Sequence, residues 1–151
     1  MCKSTIHSLL KVLPKCEHHM HLEGALTPAV LFQLASKNNV HLPSDDPAFS
    51  TPTALVERYD HFTSLDDFLH YYYIGMSVLV DESDFEALAW DYFKHASADG
   101  VLHAEVFFDP QAHLIRGIAY KTIISGFMAA RTRAETEYGI TSELILSLIH
   151  I

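Results

Sequence analysis

The period of hydrophobic and polar positions changes along this chain, and the changes predict alternating strands and helices. Strands are predicted over residues 15–22, 101–108 and 142–151. Helical spacing, with apolar residues three and four apart, fills most of the chain between them. Strands separated by helical connections are typical of a parallel sheet with right-handed crossovers. The pattern therefore predicts an α/β fold.

The first helices are predicted from their end signals. A short amphipathic helix is expected over residues 6–12, ahead of Pro14. Thr27 and Pro28 suit the N-cap and first position of a helix that runs to about residue 37. Its apolar stripe consists of Val30, Leu31, Leu34 and Ala35. Residues 41–53 hold three prolines and are predicted as a loop.

Three more helices complete the prediction. One begins at Asp66 or Asp67 and runs to about residue 80. Ser83 and Glu86 match a capping box for the next, which ends at Asp99–Gly100. Its core-facing stripe is Phe85, Leu88, Ala89, Tyr92, Phe93 and Ala96. The last runs from about 120 to 138 before Gly139, and its expected buried residues are Ile123, Ile124, Phe127 and Met128.

Composition narrows the class of protein. The length of 151 residues fits one domain, and 49% hydrophobic with 19% charged residues is ordinary for a packed fold. A net charge of −9 without a basic run argues against nucleic acid or an anionic membrane as a partner. Cys2 and Cys16 form no Cys-x-x-Cys pair, and Cys16 is expected to be buried. Without a secretory signal pattern, a cytoplasmic location is expected, with the nucleus left open as a second one.

The segment Pro-Lys-Cys-Glu-His-His-Met-His-Leu-Glu-Gly-Ala-Leu, residues 14–26, carries the candidate chemistry. In an extended strand, His19 and His21 leave the backbone on one face, together with Glu17 and Glu23. His18 and its alternate neighbours then pack on the other face. Two converging imidazoles are a natural half of a zinc-type site. In a chain with eleven histidines the spacing also fits two ordinary strand histidines.

The same segment resembles the opening strand of the adenosine/adenine deaminase family of metal-dependent hydrolases, most closely the fungal-type adenine deaminases. Similar stretches recur at residues 66–75, 103–111 and 139–142, in the family's order. The resemblance implies the N-terminal part, about three β/α units, of a (β/α)8 TIM barrel, with extra helices after strand 1. A complete barrel takes about 250 residues. Residues 1–151 are therefore expected to form a single partial domain, an N-terminal fragment.

The resemblance also implies roles for individual residues. His19 and His21 match two ligands of a Zn²⁺ ion, and Glu23 matches a substrate-binding position. Adenosine deaminases carry Asp there, facing the ribose, so the longer Glu23 is hypothesised to select free adenine; a solvated carboxylate is the alternative. Glu17 is expected to be a buried structural carboxylate.

Other residues near the expected pocket have two interpretations each. Asp109, with Phe107 and Phe108, replaces the Ser, Arg and Tyr of adenosine deaminases, for a changed substrate or for packing. Phe62, Phe68 and the three tyrosines 71–73 could wall a purine pocket or belong to the core. The remaining histidines show no paired spacing and are interpreted as incidental: His41, His61, His70, His95, His103, His113 and His150.

The function implied for the intact protein is hydrolysis of adenine to hypoxanthine and ammonia in purine salvage. No catalytic residue is expected in these 151 residues, because the family's third His, its Asp ligand and its catalytic Glu would lie downstream. The chain alone is therefore expected to be inactive. Two alternatives stay open: a deaminase of adenosine or a related nucleoside, and a non-catalytic truncated chain. The truncated chain would associate with a partner, or with itself through exposed barrel edges.

Overall fold

The computed structural model describes residues 6–147 and contains three strands in the order β1-β2-β3, with both pairs parallel. The parallel α/β arrangement predicted from the sequence is confirmed. Residues 148–151 of the predicted third strand lie outside the described residues. In chain order the elements are α1 (His7–Val12), β1 (Lys15–His21), α2 (Pro28–Lys37), α3 (Pro52–Tyr59), α4 (Leu65–Ser77), α5 (Glu82–Ala98), β2 (Val101–Phe108), α6 (Pro110–Leu114), α7 (Tyr120–Tyr138) and β3 (Thr141–Leu146).

The core lies where α5 and α7 pack together beside the sheet. All six residues of the stripe predicted for α5 are buried. On α7, Ile123 and Phe127 are fully buried, but Met128 is 39% exposed, so its predicted burial is wrong. The buried α7 positions continue with Ala130 and Ala134 at helical spacing. Met128 lies one residue further round the helix, away from that face.

Gly126 allows the close approach of α7 to α5. A Cβ atom on Gly126 would lie 2.3 Å from the carbonyl oxygen of Glu82 and 2.7 Å from the Cβ of Phe85. Gly126→Ala is expected to lower the free energy of unfolding by about 1–3 kcal/mol, because overpacking outweighs the gain in helix propensity. Urea unfolding measures the change. Ser125→Ala on the same helix is the control, and equal unfolding midpoints for the two variants would contradict the prediction.

The start of α5 differs from the predicted capping box. The N-cap is Asp81 rather than Ser83, and Asp84 occupies N3, where its Oδ2 accepts the N–H of Asp81 at 3.0 Å. An Asp at N3 closes the box as a Glu would, so the helix begins earlier than predicted. Asp84 is buried and also accepts a hydrogen bond from the Nζ of Lys37 at 2.6 Å, which ties α2 to α5.

Two further predictions are wrong, one for the loop after α2 and one for the burial of Cys16. The predicted loop over residues 41–53 contains a 3₁₀ turn at Pro47–Ser50 and the start of α3. Thr51 caps α3 by accepting the N–H of Ala54 at 3.1 Å, and the Thr–Pro pair that signals it matches the one before α2. Cys16 is exposed rather than buried, because β1 is an edge strand of the described sheet.

Candidate functional site

A β-bulge in β1 decides which side chains face the site. Glu17 pairs with Ala104 and Met20 with Val106, so three residue steps in β1 match two in β2. The extra residue lies between Glu17 and Met20. A bulge of this kind reverses the alternation of faces beyond it and re-aims the side chains beside it.

The bulge overturns two predictions made from strict alternation. Glu17 lies on the helix side, where its Oε2 accepts a hydrogen bond from the hydroxyl of Tyr92 at 2.7 Å. It is a hydrogen-bonded structural carboxylate, but it does not share a face with the histidines. His18 does not pack against helices: its ring is 73% exposed and lies 3.7 Å from the carboxylate of Glu105 on β2.

His19 and His21 nevertheless lie together at the carboxyl end of β1. Their ring centroids are 5.6 Å apart, and both rings stack on Phe107 of β2, at 4.3 Å for His19 and 5.3 Å for His21. The aromatic ring of Phe107 therefore supports both imidazoles from one side. No described residue forms a hydrogen bond with the His19 ring.

The orientation of His21 is fixed by Asp109, which directly follows β2. The Nδ1 of His21 lies 3.0 Å from Oδ2 of Asp109, and the hydroxyl of Tyr72 donates to the same oxygen at 2.9 Å. The Asp109 carboxylate is fully buried. Burial alone would raise the pKa of Asp109. Hydrogen bonds from Ser147, His21 and Tyr72 outweigh this effect, so the pKa of the carboxyl is lowered overall. Asp109 is thus ionised near neutral pH, and His21 carries its proton on Nδ1.

Tyr72 remains a hydrogen-bond donor at this site. Burial raises the pKa of its phenol far above the usual value, and the nearby carboxylates of Glu23 and Asp109 raise it further. The phenol therefore stays protonated at physiological pH. Tyr72 and His21 together hold the Asp109 carboxylate from two elements, α4 and β1.

Glu23 lies in a 3₁₀ turn that follows β1, Leu22–Ala25, and its side chain is fully buried. Its Oε1 accepts the backbone N–H of Asp109 at 2.9 Å and lies 3.3 Å from Nε2 of His113. Its Oε2 is buried and has no hydrogen-bond partner among the described residues. The alternative of a solvated carboxylate is wrong. A buried carboxylate oxygen without a partner is costly unless a ligand supplies the donor.

Glu23 forms the polar wall of an aromatic cavity of about 90 Å³. Phe62, Phe68, Tyr71 and Tyr72 line it, as does Tyr59. The aromatic positions suggested by the sequence thus line a cavity, with the exception of Tyr73.

Ion pairs and hydrogen bonds connect α3 and the residues before it to α4, beside the cavity. Arg58 pairs with Asp67 and donates to the hydroxyl of Tyr71 at 3.2 Å. That hydroxyl in turn donates to Asp46 at 2.5 Å. These contacts fasten α3 and the preceding 3₁₀ turn to α4.

Sequence reasoning missed His113, which was interpreted as incidental. It is fully buried, and beside its contact with Glu23 its Nδ1 lies 2.8 Å from Nη2 of Arg116. The available signal was the spacing of His113 and Arg116, three residues apart after an Asp–Pro pair, which brings Arg116 in the turn after α6 back beside His113 on α6.

The residues present fit one half of a zinc site. With Nδ1 of His21 bonded to Asp109, its Nε2 keeps a free lone pair, which is the usual carboxylate–histidine arrangement behind a metal. The exposed ring of His19 lies beside it. Within residues 6–147 no group of three or more His, Cys, Asp or Glu side chains could hold a metal ion. Any further ligands would have to come from outside this part of the chain.

The family model described as Adenosine deaminase matches residues 14–151. This chain belongs to the adenosine deaminase family. The curated relatives it matches include the adenine deaminases of Aspergillus oryzae, 62% identical over 99% of this chain, and of Schizosaccharomyces pombe, 54% identical over 99%. The chain spans 42% and 41% of the length of these two proteins.

One solved structure agrees with the family assignment, and a second agrees with the fold. The adenine deaminase of Arthrobacter aurescens matches with a TM-score of 0.79 at 41% identity, over 88% of this chain and 39% of that one. An amidohydrolase of Burkholderia ambifaria with bound Zn matches with a TM-score of 0.78 at 24% identity, over 98% and 39%. The three parallel strands thus correspond to the N-terminal part of the TIM-barrel amidohydrolase fold, as predicted.

Across residues 6–147 no helix combines the length and the apolar character needed to span a membrane.

Proposed function

We propose that the protein to which this chain belongs hydrolyses adenine to hypoxanthine and ammonia, a purine-salvage reaction, with Zn²⁺ bound by His19 and His21. The observation that carries the proposal is the buried Glu23 carboxylate with a free Oε2, placed next to a histidine pair oriented by Asp109. The adenine deaminases among the relatives support the choice of substrate. Cytoplasm and nucleus are the proposed locations.

The residues of this chain bind and orient the reactants. A zinc ion, when bound, supplies the positive charge that turns water into a nucleophile near neutral pH. His19 and His21 hold it through neutral nitrogens, and Asp109 keeps His21 in the tautomer that leaves Nε2 free. The free Oε2 of Glu23 accepts an N–H of the purine ring. The aromatic cavity provides an apolar surface for a flat base and excludes water.

The chain spans 42% and 41% of the two adenine deaminases named above, so a completed barrel is the protein to test. It consists of this chain in place of the segment that it matches in the Aspergillus oryzae adenine deaminase. We expect the completed barrel to release ammonia from adenine. We expect residues 1–151 alone to be inactive, because two histidines form an open and weak metal site. Adenine turnover by the 151-residue chain, or none by the completed barrel, would contradict the proposal.

Glu23→Asp in the completed barrel tests the choice of substrate. The shorter side chain withdraws the carboxylate from the base, and a hydrogen bond to a charged group is worth about 1.5–3 kcal/mol. We therefore expect kcat/KM for adenine to fall roughly 10- to 100-fold relative to that for adenosine. Glu17→Asp is the matched control, since it shortens a carboxylate of the preceding strand β1 that bonds to Tyr92 on the helix side. An unchanged ratio of adenine to adenosine turnover would rule out Glu23 as the selector.

A deaminase of adenosine or a related nucleoside is the second candidate within the class, and the same ratio measured on the unsubstituted completed barrel decides between them.

A chain that associates with a partner or with itself is the candidate of another class. The exposure of Leu9 (56%) and Val12 (77%) on α1 favours it, since apolar patches of this kind drive association. Sedimentation of the 151-residue chain as a monomer would contradict self-association. No nucleic-acid partner is proposed, given the net charge of −9.

A further inference from the structure

His113 lies between the guanidinium of Arg116 and the carboxylate of Glu23. It lies on α6, is fully buried, and packs edge-on against Phe85 with ring centroids 4.9 Å apart. Its two ring nitrogens have different partners: Arg116 at Nδ1 and Glu23 at Nε2. A buried histidine with a polar partner on each nitrogen is more than a packing residue.

These two partners fix the protonation of the imidazole ring. A guanidinium only donates hydrogen bonds, so Nδ1 of His113, 2.8 Å from Nη2 of Arg116, must present a lone pair. Oε1 of Glu23 already accepts the backbone N–H of Asp109, so the Nε2 of His113 that faces the same oxygen carries the proton. Both contacts select the same neutral tautomer. A doubly protonated ring would direct an N–H at the N–H groups of Arg116.

Arg116 is itself held in place by the end of α4. Its guanidinium donates to the carbonyl oxygens of Ser77 at 3.0 Å, Met76 at 2.9 Å and Leu79 at 2.8 Å. Carbonyl groups at a helix C-terminus lack helical partners and attract cations. The helix that supplies Tyr72 and Tyr71 to the cavity therefore also anchors, through Arg116 and His113, the carboxylate opposite them.

We propose that His113, held in one tautomer by Arg116, is a positioning residue that fixes Oε1 of Glu23 and so presents Oε2 to the substrate. The inference rests on the proposed role of Glu23 in binding the purine. Two donors, the backbone N–H of Asp109 and Nε2–H of His113, hold Oε1, which leaves one orientation for the second oxygen. Without His113 the carboxylate keeps a single donor and can rotate.

Two variants of His113 in the completed barrel separate positioning from packing. His113→Phe keeps a ring against Phe85 but removes the donor, whereas His113→Gln keeps an N–H donor near the position of Nε2. We expect KM for adenine to rise roughly 10-fold or more in His113→Phe, with unchanged zinc content, and to recover at least partly in His113→Gln. His103→Phe on β2 is the control, because His103 bonds only to Thr141 among the described residues.

A loss of structure alone would give a different result. It would lower kcat and zinc content together, leave KM unchanged, and show no recovery in His113→Gln; that outcome would overturn the proposal. NMR of ¹⁵N-histidine in the unsubstituted completed barrel gives a second readout, with an expected proton on Nε2 of His113 and none on Nδ1. A proton on Nδ1 would also overturn it. This tautomer is independent of turnover, whereas absence of adenine turnover in the unsubstituted protein refutes the proposed function itself.

Discussion

Alanine in place of His21 is expected to reduce kcat/KM of the completed barrel for adenine by roughly 10³-fold or more, with loss of bound zinc. A metal ion that activates water is worth several kcal/mol of transition-state stabilisation, and each 1.36 kcal/mol corresponds to a factor of ten. His21 is the better oriented of the two proposed ligands, because Asp109 holds its Nδ1 at 3.0 Å. Metal analysis of the purified protein, together with ammonia release, measures both effects.

Two further variants show whether the effect comes from the metal site. His19→Ala is expected to give a similar loss with little effect on folding, since the His19 side chain is exposed. His95→Ala on α5 is the matched control, because that side chain is 67% exposed and contacts Asp91, away from the site. Full zinc content in both His19→Ala and His21→Ala would contradict their role as ligands.

Asp109→Asn is expected to weaken zinc binding roughly 10- to 100-fold while leaving most of the fold intact. The substitution keeps the size of the side chain but removes the charge that fixes the tautomer of His21. Mutation of a residue that hydrogen-bonds to a metal-bound histidine typically lowers metal affinity by a factor of this size. Competition with a chelator of known affinity measures the change. The expected loss in kcat at saturating zinc is smaller than the loss in affinity.

The control for Asp109→Asn is another buried aspartate. Asp91 accepts a hydrogen bond from Thr27 at 3.1 Å and pairs with Lys94 at 2.8 Å, and neither partner contacts His19, His21 or Glu23 through a side chain. Asp91→Asn is expected to lower stability without any change in zinc affinity. Equal zinc affinity in Asp109→Asn and the unsubstituted protein would mean that Asp109 does not support a ligand.

The elements were largely predictable because each has a local signal. The bounds of β2 and α7 were predicted to the residue, and the stripe of α5 is buried throughout. The errors are local as well. The start of α5 was misplaced because two overlapping cap patterns compete there, and α3 was missed although Thr51 and Pro52 signal its start.

The site was predictable only in part. The spacing of His19 and His21 indicated a pair on one face, and the structure brings the two rings together. The faces of Glu17 and His18 were wrong, because a bulge depends on pairing with β2 and leaves no clear mark in the sequence of β1. The burial of Glu23 likewise depends on the loop after β2, which supplies the backbone N–H of Asp109.

By itself the sequence determined the order of the three strands and of most of the helices, the parallel sheet and the histidine pair, because these follow from periodicity and from residues close together in the chain. Only the tertiary structure decided that Asp109 orients His21 and that Arg116 and His113 restrain Glu23. The side-chain hydrogen bonds of His21 and Glu23 join residues 86 to 90 positions apart in the chain, at the carboxyl ends of the strands. Those of Arg116 join the turn after α6 to the end of α4. Hydrogen bonds at such separations depend on how the elements pack, and no pattern along the chain encodes their geometry.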